Sequence, residues 1–310
     1  MSALPDAPEL PDFDEAPESG VTGAQFENRF ARLTAEEYFA EPCAVPALSA
    51  SIAHVLDTES PLHAWDRHPK LGGVPRAPTK AFDNGSLSHA LLLGAGKDVE
   101  LIYADDYKTK AAQASRDAAR LAGKLPVLAA DYDEALEKAD KLRQRFAALG
   151  IVLDGESEVA ALWTETARNG ARVQCRGMMD HLTLPRIYDI KSIRSANPKV
   201  CRKHIEEYGY AIQRAAYVSA VERIRPELAG RIEFIFVFYE LQSPFAVTPI
   251  RLPGSFRELG ERAWRRSVDS WEKCLRTNAW PAYADGIIEV EPSPWALARD
   301  MDRYPEVQAA

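Results

Sequence analysis

The chain of 310 residues has few cysteines and no long apolar run. Its cysteines are far apart and form no Cys-x-x-Cys pair, which argues against a zinc ribbon and against an iron–sulfur cluster. They are Cys43, Cys175, Cys201 and Cys274. No apolar stretch approaches the roughly 20 residues of a membrane-spanning helix, and the N-terminus lacks the basic-then-apolar order of a signal peptide. We therefore expect a cytoplasmic protein with reduced thiols, no iron–sulfur cluster and no membrane association.

The six histidines form no His-x-x-x-His or Glu-x-x-His pattern, so a zinc hydrolase is poorly supported. His89 lies in an apolar run that opens with Ser86, a residue suited to cap a helix. A lone histidine in that setting is more often a buried core residue than a metal ligand.

Basic residues are missing from the first 20 positions, which carry only acidic charge. The acidic residues there are Asp6, Glu9, Asp12, Asp14, Glu15 and Glu18. They supply six of the eight net negative charges, which leaves −2 for the rest of the chain. We predict that residues 1–25 are a disordered acidic arm. The charge balance weakens a nucleic-acid function without excluding it, because a bound metal would neutralise some of the carboxylates.

The remaining sequence changes character at Gly150, from helical patterns to strand patterns. We predict a helical part at 26–150 that carries His89, a core at 151–280 and a C-terminal tail at 281–310 in a loop conformation. Within the core we predict strands at 156–166, 171–184, 186–193 and 231–241, and helices at about 200–224 and 255–276. The fold class is α/β (α+β), with a central mixed sheet flanked by helices.

Two acidic residues and a lysine lie on neighbouring predicted strands. Asp180 stands near the end of one strand, and Asp189 and Lys191 lie on the return strand, two positions apart and therefore on one face. Ile190 points the other way into apolar packing, which leaves its carbonyl free to face a metal. Such a set is the minimum for metal-assisted phosphodiester cleavage, although a hairpin with a surface Asp/Lys pair is an equally simple interpretation.

Further polar residues surround this hairpin. Tyr210, Gln213 and Tyr217 share one face of the following helix, where they either pack in the core or bind a phosphate or a water. Glu158 and Glu165 are strand-edge glutamates, which are usually solvated. Other candidates are basic: Arg176 would contact a phosphate or pair with a carboxylate, and a basic tract would guide DNA or be a solvated face. The tract contains Arg194, Lys199, Arg202 and Lys203.

Together these residues resemble the PD-(D/E)xK nuclease superfamily, in the branch of exonuclease VIII, the RecB nuclease domain and lambda exonuclease. The matched features are Gly85-x-x-x-His89, Asp180 after Arg-Gly-Met-Met, Asp189-Ile-Lys191, and Tyr210-x-x-Gln213. The resemblance covers about residues 45–275 and implies a restriction-endonuclease-like core. Asp189 stands where many members of the superfamily have glutamate.

The resemblance implies a role for each matched residue. Asp180, Asp189, His89 and the Ile190 carbonyl would bind Mg²⁺, with Mn²⁺ able to substitute. Lys191 would orient or activate the attacking water. Tyr210 and Gln213 would position the DNA backbone or the water network, and Glu158 is an uncertain additional site residue.

The activity implied is a Mg²⁺-dependent 5′→3′ exonuclease that acts on linear double-stranded DNA ends and generates single-stranded tails for recombination. The alternatives are a structure-specific or single-strand endonuclease of the same fold, or a non-catalytic DNA-binding scaffold. Relatives also suggest a ring-shaped homo-oligomer and a partner that anneals single strands.

Overall fold

A computed structural model describes residues 26, 28–73, 80–95 and 98–303, with only the backbone described for 80–86. The predicted acidic arm lies outside the described residues, and Gly85 of the Gly85-x-x-x-His89 motif is described by its backbone in α4 alone. The described part of the chain contains eight strands and ten α-helices. The strands are β1 (Arg29–Ala31), β2 (Val99–Ile102), β3 (Leu125–Leu128), β4 (Glu156–Thr166), β5 (Arg172–Thr183), β6 (Arg186–Ser192), β7 (Glu233–Tyr239) and β8 (Val247–Ile250). The helices are α1 (Ala35–Phe39), α2 (Ala50–Thr58), α3 (Pro61–Arg67), α4 (Lys80–Leu93), α5 (Lys110–Leu121), α6 (Ala129–Ala148), α7 (Pro198–Glu207), α8 (Tyr210–Ile224), α9 (Gly254–Thr277) and α10 (Pro294–Arg303).

Six strands form one sheet in the order β1-β4-β5-β6-β7-β8. All neighbours are antiparallel except β6 and β7, which run parallel. The two remaining strands, β2 and β3, form a separate parallel pair. A mixed sheet with helices on it confirms the predicted α+β class.

The strands β4 and β5 form a hairpin whose loop contains the predicted Asn-Gly turn. Gly170 has a φ of +85°, and its N–H donates to the Ala167 carbonyl. A glycine with positive φ suits a three-residue hairpin loop because it has no Cβ to clash. From there the strands pair along their length, with Trp163 opposite Cys175.

Helices cover both faces of the sheet. On one face the main core contains Trp163, Trp264 and Trp271, where α8 and α9 pack on the sheet. On the other face Ile190 and Phe146 belong to a smaller core with α4 and α6. The strand β7 is buried on both faces, as its apolar sequence predicted, because its side chains alternate between the two cores.

The predicted helix at 200–224 is wrong in one respect, since it is two helices. The break falls at Gly209, which has a φ of +65°. A Cβ at this position would lie 2.4 Å from Nδ1 of His54, so only glycine allows α8 to approach α2 this closely.

Two other expectations also need correction. The N-terminal part is not purely helical, because it contributes β1 to the edge of the main sheet and also contains β2 and β3. The tail is not loop alone, because it contains α10, and the Ala296 N–H in the first turn of this helix donates to Oγ of Ser293. None of the helices within the described ranges combines the length and apolar character needed to cross a bilayer.

Candidate active site

Asp180, Asp189 and Lys191 meet where β5 and β6 separate. The Ile190 backbone N–H donates to Oδ2 of Asp180 over 2.6 Å. The Lys191 ammonium lies 2.5 Å from Oδ1 of Asp189 and 3.9 Å from Oδ2 of Asp180. The structure therefore brings together the three residues that the spacing selected.

The regular alternation of side chains between the two faces of β5 is interrupted near Asp180, and this interruption turns the Asp180 carboxylate toward the site. Cys175 and Met179 face the main core, and so does Leu182, although it is an odd number of positions further on. A strand with regular alternation would send Leu182 to the opposite face. On β6 the alternation is regular, and Ile190 packs in the smaller core between Asp189 and Lys191, as predicted.

His89 and Glu158 extend the site from two other elements. His89, on α4, has its Nε2 atom 3.2 Å from Oε1 of Glu158 and 3.7 Å from Oδ1 of Asp180. Glu158 lies on β4 between Ser157 and Val159, which pair with β5 on either side of Asp180. Its φ of +55° is unusual for a glutamate and turns the strand locally. The uncertain glutamate thus lies in the site, and no sequence pattern signals this backbone conformation.

The α8 residues support the site from the main core side. Gln213 donates from Nε2 to Oδ2 of Asp189 over 2.6 Å. Tyr210 stacks on Phe236 with 5.5 Å between ring centroids, and the Lys191 ammonium lies 5.4 Å from the Tyr210 ring centre. Tyr217 is buried, so on this helix one face serves both core packing and the polar site.

Burial and neighbouring charges shift the pKa values of the ionisable side chains in the site. Burial raises the pKa of Asp189 to about 6, the Asp180 charge adds to the rise, and Lys191 opposes it. Burial lowers the pKa of Lys191, but the Asp189 and Asp180 carboxylates outweigh it and raise the pKa above its usual range. The pKa of His89 is likewise raised: burial lowers it, and Glu158 and Asp180 more than compensate.

The donor set suits a hard divalent cation. Three carboxylates and an imidazole are ligand types that Mg²⁺ or Mn²⁺ accepts. Oδ1 of Asp189 is buried and makes no hydrogen bond among the described residues; its neighbour is the Lys191 ammonium. No three of the described His, Cys, Asp or Glu side chains are grouped closely enough to hold a metal as they stand. In this structure the Lys191 ammonium lies between the Asp180 and Asp189 carboxylates, and the three carboxylates and the imidazole fit a divalent cation by ligand type.

Arg176 is not a phosphate contact, contrary to one of the two roles considered for it. Its side chain is 4% exposed, pairs with Glu41 over 2.7 Å and donates to the Tyr38 carbonyl. The carboxylate-pairing role is the correct one, since a buried guanidinium must satisfy its donors internally.

Glu165 is likewise buried rather than solvated. Its carboxylate accepts hydrogen bonds from Ser219, Trp163 and Trp264 and pairs with Arg223. The basic tract, in contrast, is exposed, and its members remain candidates for DNA contact: Arg194, Lys199, Arg202 (which pairs with Glu206) and Lys203.

A mixed sheet that presents Asp, Asp-x-Lys and a supporting glutamine at one strand junction is the arrangement of the PD-(D/E)xK nuclease-like proteins. A family model described as the PDDEXK-like domain of unknown function (DUF3799) matches residues 57–291, well over half of the chain. The chain belongs to this family.

One of two similar solved structures supports the fold. A protein of Eubacterium rectale named as a presumed exonuclease is 14% identical, with a TM-score of 0.54 over 86% of this chain and 98% of its own. A phage-related exonuclease of Haemophilus somnus 129PT is 9% identical, with a TM-score of 0.31 over 75% and 96%. Only the first likeness is close enough to support the fold. Among proteins of curated function, none matches the chain significantly.

Proposed function

We propose that the protein is a Mg²⁺-dependent deoxyribonuclease that digests one strand of linear double-stranded DNA from its 5′ end. The single-stranded tails that remain would serve recombination. The observation that carries this proposal is the Lys191 ammonium, which lies between the carboxylates of Asp180 and Asp189.

Asp180, Asp189 and the Ile190 carbonyl would hold the cation, with His89 and Glu158 completing the set. A bound Mg²⁺ or Mn²⁺ would act as a Lewis acid toward the phosphodiester and lower the pKa of water. The chain holds these ligands rigidly, because Ile190 is anchored in the smaller core and its N–H fixes the Asp180 carboxylate.

Lys191 would orient the attacking water and stabilise negative charge as it grows on the phosphate. A fixed ammonium in a partly buried position stabilises a developing anion more than it would in water. Gln213 fixes Asp189 by its hydrogen bond, and the Tyr210 ring covers one side of the ammonium. Together they limit the positions that the lysine can adopt.

A non-catalytic scaffold is the less economical alternative. A DNA-binding module has no need for a buried lysine between two acids, because such charges are costly to bury. The exposed basic tract would guide the phosphate backbone toward the site in either case.

Incubation with linear and circular DNA, in Mg²⁺, Mn²⁺ or EDTA, tests the proposal. We expect linear duplex to be degraded with either metal, circles to survive and EDTA to stop the reaction. Loss of circles would assign the endonuclease alternative, and binding without products would assign the scaffold. Duplexes labelled at one 5′ or one 3′ end then give the polarity, and early release of the 3′ label would contradict the 5′→3′ direction.

We extend the proposal to a homo-oligomeric ring and to a partner protein that anneals single strands, in the cytoplasm. Both follow from the family resemblance, and a ring would help a nearly neutral subunit to retain DNA. Light scattering coupled to gel filtration tests the ring, and a monomer at working concentrations would contradict it.

A further inference from the structure

A groove leaves the candidate active site on the α2 side. Its inner end is a cavity of about 200 Å³ with Gln213 and Tyr210 in its wall. The cavity shares Tyr38, Ser49 and Tyr208 with a second cavity of about 390 Å³, which extends to Arg67. We call the two together the side groove. It adjoins the site, because Gln213 in its wall also donates to the Asp189 carboxylate.

Aromatic rings with open faces line the side groove. The Tyr208 side chain is 50% exposed and Phe39 is 62% exposed, although large aromatic residues are usually buried. Tyr208 lies 6.0 Å from Tyr210, and Phe39 lies 5.4 Å from Tyr38, between ring centroids. Exposed rings in a row beside a nuclease site are suited to stack on bases, whatever the base sequence.

Two helices begin at the inner cavity. Ser49 caps α2, and Ala50 and Ser51 in its first turn line the cavity. Gly209 precedes α8 and supplies no side-chain cap. Helix N-termini carry partial positive charge and free N–H groups, so both favour a phosphate in the space between them. The close approach of Gly209 to His54 is what brings these helix ends together.

Charged side chains of both signs surround the groove. Arg67 stands at the outer end, where it pairs with Glu59. The helix α7 carries Lys199 and Lys203 on its exposed surface, and it ends with the exposed Glu206 and Glu207 directly before Tyr208. The exposed rings and the helix N-termini, rather than net charge, therefore favour a nucleic acid in the groove.

We propose that the side groove binds unpaired nucleotides of the DNA strand that enters the active site. Their bases would stack on Tyr208 and Phe39, and their backbone would pass the two helix N-termini before it reaches Lys191. The inference rests on the proposed nuclease function, and it adds a binding site for single-stranded DNA beyond the metal-binding residues.

The first test measures the affinity for a fluorescent oligothymidine in EDTA, which prevents cleavage. We expect Tyr208→Ala to weaken binding roughly tenfold, because loss of one stacking ring costs about that much. Tyr208→Phe, which keeps the ring, should bind within about twofold of the parent protein. The matched control is Tyr103→Ala, since Tyr103 is 85% exposed, directly follows β2 and does not line the side groove. Equal affinity of Tyr208→Ala and Tyr103→Ala would overturn the proposal.

Crosslinking gives a readout that a purely structural role would not produce. An oligonucleotide with 5-iodouridine should crosslink under ultraviolet light to the peptides that contain Tyr208 or Phe39. Crosslinks confined to peptides outside the groove would overturn the proposal even if affinities changed.

The proposal and the nuclease function fail in different ways. If the parent protein degrades no DNA in Mg²⁺ but crosslinks through Tyr208, the nuclease function fails and the groove stands. If it degrades DNA but Tyr208→Ala binds normally, only the groove proposal fails. Thermal melts should be equal for Tyr208→Ala and Tyr103→Ala, because both side chains are at the surface.

Discussion

Strand β4 carries a partly buried glutamate, Glu158, near one end and a fully buried glutamate, Glu165, near the other. The two differ in how far neighbouring donors and cations compensate the carboxylate charge. At one end Glu165 is fully buried and surrounded by donors. These are Ser219 at 2.5 Å, Arg223 at 2.7 Å, Trp264 at 3.1 Å, Trp163 at 3.2 Å and Arg265 at 3.5 Å. Burial alone would raise the pKa of Glu165, but Ser219 and Arg223 outweigh it and hold the pKa below its usual range.

At the other end Glu158 shares the site with Asp180 and Asp189, and two cationic side chains serve three carboxylates. The pKa of Asp189 is raised there, to about 6, whereas that of Glu165 is lowered. Where donors and cations fully compensate a buried carboxylate, as at Glu165, the charge stabilises the fold. Where carboxylates outnumber the cations, as around Asp189, a bound metal ion would stabilise the site.

The largest effect should come from removing the ammonium of Lys191, which lies near both Asp180 and Asp189. Lys191→Ala should lower the rate of DNA cleavage by about a thousandfold or more, because no other ammonium among the described side chains reaches both acids. Metal and DNA binding should remain measurable, by calorimetry and by fluorescence anisotropy in EDTA. Lys108→Ala is the control, since Lys108 is exposed and pairs only locally with Asp106. Activity of Lys191→Ala equal to that of Lys108→Ala would remove Lys191 from the mechanism.

Glu165→Gln should destabilise the fold without affecting the chemistry directly. Arg223 would lose its buried partner, and the expected cost is about 3 kcal/mol in the free energy of unfolding. Urea denaturation measures this cost, and cleavage per folded molecule should stay near that of the parent. The control Glu134→Gln breaks an exposed pair with Lys138 and should leave the midpoint unchanged. Equal midpoints for both variants would show that the compensated end contributes little stability.

The cost of Glu165→Gln should also depend on pH. Because the folded pKa of Glu165 lies below the unfolded value of about 4.3, its contribution is fully present above that value. It is lost as pH falls through the folded pKa. Thermal melts should therefore show a wide gap between parent and variant at pH 7 and a narrower gap near pH 3. A gap that widens in acid would contradict the assigned direction of the shift.

The smallest effect has the opposite sign. In EDTA, Asp189→Asn should leave the melting temperature unchanged or raise it by a few degrees, because Asp189 is buried beside Asp180 and only partly compensated. Mg²⁺ should raise the melting temperature of the parent, and this variant should lose that rise. A marked loss of stability in EDTA would mean that the Asp189 charge is compensated as fully as the Glu165 charge.

Local patterns were enough to predict the centre of the site. The Asn-Gly turn indicated the hairpin of β4 and β5, and alternation placed Asp189 and Lys191 on one face of β6 with Ile190 on the other. The resemblance favoured a site role over core packing for His89 and Gln213, and the structure places them beside Asp180 and Asp189.

Features set by long-range contacts could not be predicted. The environment of Arg176 and Glu165 depends on side chains more than 50 residues away, such as Glu41 and Arg223. The helix break at Gly209 depends on His54, and no local pattern distinguishes that glycine from an ordinary one. The interrupted alternation near Asp180 could not be predicted, because the apolar residues around Asp180 are compatible with either face of the strand.

The smaller core has a consequence for how the protein is made. His89 reaches the site only when α4 packs with α6 against Ile190 and Val237, and these residues are far apart along the chain. A ribosome completes α4 long before it completes β7. The emerging chain therefore cannot complete this core, and cannot hold His89 beside Asp180 through it, until most of the sheet exists.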